Sequence, residues 1–135
     1  MMLRHLTLLQ DMTLSHDLQW VDEHSWSPVI ANVEYSMTGA LIVEAATRLA
    51  GRPITLQPPD ESMAWHTRAI VDQLRLWCSQ AGQTFLLTLD DGRSFNVMFR
   101  HQDSPAMESK PVRKMATYDP EDDWQVTLKL MEIMA

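Results

Sequence analysis

The chain has 135 residues, a formal net charge of −7 and a pI near 5.0, a size that suits one domain around one core. Its acidity argues against direct binding to nucleic acid, where affinity comes largely from basic side chains that displace counterions. No apolar run approaches the ~20 residues that span a bilayer, the single cysteine, Cys78, excludes an intrachain disulfide and a thiolate metal cluster, and 45% hydrophobic with 21% charged residues fits a folded chain.

Residues 1–17 carry no strong period and are expected to form a flexible or subunit-contacting arm. Met1 to Gln10 lacks a small-residue cleavage site behind an apolar core, so retention in the cytosol or inside a particle is expected. Leu18 to Asp22 and Val29 to Ser36 read as extended. Between Ala40 and Ala50 two tendencies compete: Leu41, Ile42 and Val43 favour a strand, whereas Glu44, Ala45, Ala46, Arg48 and Leu49 are helix formers. The strand is the preferred reading, because a hairpin turning near Ala50-Gly51 would then join it to a short strand at Ile54 to Leu56.

The strongest helix signal runs from about Ala64 to Ala81. His66, Ile70, Gln73, Leu74, Trp77, Cys78 and Ala81 share one side, Pro58, Pro59, Asp60 and Ser62 precede it as stop and cap, and Gly82 follows it. After the helix, Phe85, Leu87 and Leu89 alternate with Thr84, Leu86 and Thr88, and Phe95, Val97 and Phe99 alternate with Ser94, Asn96, Met98 and Arg100. Asp91-Gly92 between them predicts a type I′ turn that pairs Thr84–Leu89 with Ser94–His101. Residues 102–123, with Pro105, Pro111 and Pro120, read as a long connection holding at most one short strand near Lys110 to Met115. A last strand is written in Trp124, Val126, Leu128 and Leu130.

Chemistry leaves no comparable signature. The five histidines include no pair at i, i+2 or i, i+4, and the acidic run Asp119, Glu121, Asp122 and Asp123 lacks the glycine and distant glutamate of a calcium loop. Nucleophile elbows, Walker loops and dinucleotide fingerprints are missing. The expectation is therefore no enzyme, with no catalytic residue, cofactor or metal site. Met107, Met115, Trp124, Met131 and Met134 are instead the candidate subunit contacts, since adaptable apolar side chains suit an interface. A pocket between helix and sheet, lined by Trp65, Trp77 and His101, is the competing small-molecule or enzyme reading.

Three features in order carry a resemblance: Gly51-Arg52-Pro53-Ile54-Thr55-Leu56, then a tryptophan-bearing helix, then Leu89-Asp90-Asp91-Gly92-Arg93-Ser94-Phe95-Asn96-Val97 and a final strand. From about Trp20 to Ile133, with Gly39-Ala40-Leu41-Ile42-Val43 also fitting, the chain resembles the small tail-tip and distal-tail, tube-like structural proteins of long-tailed bacteriophages and prophages. The resemblance implies an α+β, mainly β fold: an antiparallel sandwich or barrel-like sheet with one flanking helix, as a single domain over 1–135. It further implies a homo-oligomeric ring, a hexamer by analogy, that touches the tail tube protein, the hub or baseplate and the tape-measure protein. The virion tail, assembled in the host bacterial cytoplasm, would be its location. A tail-completion or head-tail joining protein is the neighbouring alternative.

Overall fold

The computed structural model describes residues 1–134. Eleven strands and one helix follow in order: β1 (Met2–His5), β2 (Gln10–Thr13), β3 (Gln19–Trp20), β4 (Val29–Tyr35), β5 (Leu41–Thr47), β6 (Pro53–Gln57), β7 (Trp65–Thr67), α1 (Arg68–Cys78), β8 (Phe85–Thr88), β9 (Ser94–Phe99), β10 (Met107–Pro111) and β11 (Asp123–Glu132). The fold is mainly β, with antiparallel pairing throughout, a sandwich-like arrangement and one flanking helix, as the sequence led us to expect. A closed barrel does not form: the main sheet runs β2-β1-β8-β9-β11-β6-β3, with β10 and β7 both paired to β11.

The longest strand organises the sheet. Trp124, Val126, Leu128 and Leu130 turn one side of β11 into the core, and its ten residues are shared among four partners. Its first half pairs with β10 and β7, its second half with β9 and β6. Rather than closing the sheet, β11 is its centre, because it alone is long enough to bridge both pairs.

The N-terminal segment is not an arm. Strand β1 lies between β2 and β8, and Leu3, His5, Met12 and Leu14 are buried. His5 packs edge-on against Trp77 and Phe85, with ring centroids 5.5 and 5.0 Å away. Composition hid this because only Leu3 and His5, two residues apart, mark the inward face of so short a strand.

The helix begins later than its apolar pattern suggests. Trp65–Thr67 is taken by β11 as a strand, Thr67 becomes the N-cap without a side-chain cap bond, and Val71, Leu74 and Trp77 form the buried face. Asp60 and Ser62 instead bond to each other within their own turn. In the β8–β9 hairpin the two strands pair as expected, but the turn is not type I′, and the register moves with it, so that Thr88 rather than Leu89 faces Ser94. Leu89 N–H donates to Arg93 O at 2.8 Å, Gly92 N–H donates to Leu89 O at 3.1 Å, and Gly92 alone has positive φ, at 94°. That is a three-residue loop, a type I turn closed by a glycine bulge.

Candidate assembly surface

Strand β5 does form, but it turns back on β4 rather than forward onto β6. The closing loop repeats the β8–β9 solution: Ser36 N–H donates to Ala40 O at 2.8 Å, Gly39 N–H donates to Ser36 O at 2.9 Å, and Gly39 holds φ at 82°. The Ser36 hydroxyl adds a bond from Ala40 N–H. Gly51, read as the hairpin turn, instead donates its N–H to Glu132 O and returns the chain to the main sheet.

The result is a separate two-stranded ribbon of seven residues per strand, every one of them exposed. Directly opposed residues share a face and successive ones alternate. One face therefore carries Val29, Ala31, Val33 and Tyr35 opposite Thr47, Ala45, Val43 and Leu41, with no charge among them. Ile30, Asn32 and Glu34 stand on the reverse face, opposite Ala46, Glu44 and Ile42. Tyr35 is 76% exposed, and Val33, Leu41 and Val43 are each more than half exposed. Among the described residues, neither outer edge of the ribbon has a strand partner. An isolated two-stranded ribbon is marginal in water, and open edges invite pairing with another chain.

At its root the ribbon is tied to the sheet by a polar network and a stack of rings. Asp22 accepts Thr55 N–H at 2.9 Å and the Thr55 hydroxyl at 2.8 Å, and Arg100 donates to the same hydroxyl at 2.9 Å. Trp20 packs edge-on against Phe95, and Arg52 lies over Trp20 with 4.7 Å to the ring centroid. Phe95 lies on the expected hairpin and Arg52 and Thr55 in the quoted Gly51–Leu56 stretch, but no pattern joined them to Trp20, Asp22 or Arg100. Their partners lie 30 or more residues away in sequence, and only the fold brings them together.

The sequence-selected contact residues scatter. Met107 and Trp124 pack against the core, Trp124 meeting Tyr118 edge-on and lying under Arg68. Met131 is half-buried in β11 and accepts a bond from Gln102 Nε2. Only Met115 and Met134 are exposed, and neither lies on the ribbon. A second exposed apolar element is the β1–β2 turn, where Leu6, Leu8 and Leu9 face solvent and Leu9 is held at a φ of 54°.

The pocket reading does not assemble. Trp77 is buried against Phe85, His101 is exposed beside Phe99, and Trp65 rims a small depression of about 140 Å³ that includes neither. A larger depression, about 450 Å³, lies open over β11 between Glu61, Glu108, Lys110, Gln125 and Thr127. Its floor is already occupied in bonding, since Gln125 Nε2 donates to the carbonyls of Asp60 and Met63. Burial raises the Cys78 thiol pKa above its ordinary value, with Arg75 opposing, so its surroundings favour the neutral thiol. His66 is buried and accepts Ser15 N–H on Nε2 at 3.0 Å; burial lowers its pKa, and the Ala64 backbone opposes the shift.

Among known proteins, no family model matches the chain, and neither a curated protein nor a solved structure matches it.

Proposed function

We propose that this chain is a structural subunit that assembles with copies of itself into a ring in a bacteriophage tail, at the tip between tail tube and hub. The observation that carries the reading is the β4–β5 ribbon, whose uncharged face and two open edges stand in solvent. Contiguous exposed apolar surface of this kind marks an interaction site. A ring of identical subunits covers such a surface at every position, because each copy both offers and receives a contact. The acidic total charge supports the same reading, since a channel that passes DNA must not hold it. On this reading the chain has no catalytic role and needs no cofactor.

Mass measurement of the purified protein over a rising concentration series, in parallel with imaging of particles that contain it, tests the proposal. A closed oligomer, or recruitment of the monomer onto tail tubes, is the expected result. A chain that stays monomeric and also fails to join tubes would sink it. Location at the neck of the particle would favour a head-tail joining or tail-completion role in its place.

A further inference from the structure

The ribbon is joined to the sheet by two short segments, residues 21–28 and 48–52, and its own strands pair only with each other. Something must set its direction. Across these segments runs an alternating series of guanidinium groups and indole rings. Arg48 lies over Trp26 at 5.7 Å, Arg52 over Trp26 at 6.0 Å and over Trp20 at 4.7 Å, and Arg93 over Trp20 at 5.6 Å. Glu23 ties the same residues from the side, its carbonyl accepting from Arg52 Nη2 at 2.8 Å and its carboxylate pairing with Arg93 Nη1 at 2.8 Å. The series thus spans both connecting segments and ends on the β8–β9 turn of the body.

We infer that this arginine–tryptophan ladder is the latch that aims the ribbon, holding it at one angle to the sheet before any partner arrives. Arg52 is its centre, because it is the one guanidinium shared by both rings. The planar guanidinium of arginine can face both rings while donating to Glu23 O, whereas the compact ammonium of lysine is a point charge that reaches one ring at a time. Below the ladder, the Asp22–Thr55–Arg100 network and the Val21 N–H bond to Thr55 O pin the first residues after β3 to β6. Opening the ladder therefore frees the arm and leaves the sheet intact. The inference deepens the ring proposal, since a pre-aimed arm loses less freedom on docking, but its physical claim holds or fails in the isolated subunit.

Hydrogen exchange on the full chain is the direct test, comparing wild type with Arg52→Ala, Arg52→Lys and, at the outer end, Trp26→Leu. Expected is about tenfold faster exchange in residues 23–28 and 48–50, beyond the amides bonded to Thr55 and Glu132, for all three, the scale of two cation–π contacts. Protection in β8, β9 and β11 should stay unchanged. Connecting segments that exchange at the wild-type rate in Arg52→Lys and Trp26→Leu would overturn the latch, as would loss of protection throughout the sheet in both, which would make the ladder part of the core. Failure of the wild type to assemble would remove the ring reading and leave the exchange result standing.

Discussion

His66 and Gly92 show how single residues are bound to the fold by different physics. His66 Nε2 accepts Ser15 N–H, so it must be unprotonated in the folded state, and burial lowers its pKa below the ordinary 6.5. The linkage sign follows: above about pH 6.5 neither state is protonated and stability is level, whereas below it the unfolded chain takes up a proton that the folded one resists. Urea denaturation from about pH 8 to about pH 5 should show stability falling below that point, and His66→Gln should flatten the slope. An unchanged slope in the variant would refute the assignment. At Gly92, with φ of 94°, an added Cβ meets open space, so Gly92→Ala is expected to cost about 1 kcal/mol from backbone strain alone, read as a lower urea midpoint.

The same turn placed in two elements gives a contrast at the next scale. Gly39 holds an equivalent φ of 82°, yet the ribbon it closes contributes nothing to the buried core. Gly39→Ala should leave the global midpoint in place and loosen only the ribbon, visible as faster exchange in residues 29–47. On α1 the opposite holds. Leu74 is fully buried in the one cluster that joins helix and sheet, so Leu74→Ala should cost about 3 kcal/mol by lost transfer and cavity. Of these elements the β8–β9 strands and the helix core were legible, because both write their inward face as a repeating period. The β4–β5 ribbon was half legible. Its strands follow β propensity, and Thr38-Gly39 before a second apolar stretch was the missed sign of its turn, but the pairing choice between β4 and β6 has no local signature.

For the molecule as a whole, the fold leaves one amphipathic ribbon with an uncovered apolar face beside a well-filled core. A charge placed on that face, as in Val33→Asp or Val43→Asp, should leave monomer stability within about 0.5 kcal/mol, because both side chains are more than half exposed. The same changes should abolish oligomer formation in sedimentation experiments if the face is the contact. Unimpaired oligomers would show that assembly uses another surface, with the Leu6, Leu8 and Leu9 turn the next to test.

By itself the sequence determined the fold class, the helix with its Leu74–Trp77 face, the β8–β9 pairing and the final strand, since each rests on a period or a turn within some fifteen residues. It also showed which chemical motifs were missing. Tertiary structure decided what depends on distant partners: the N-terminal strands paired into one end of the main sheet, β11 as its axis, Met107 and Trp124 packed against the core while Met115 and Met134 stay exposed, and the Arg52 ladder at the root of the ribbon. Whether an apolar strand is buried or left in water is set by what the rest of the chain lays over it. Val33 and Val97 sit in strands of similar character, and only one of them is covered.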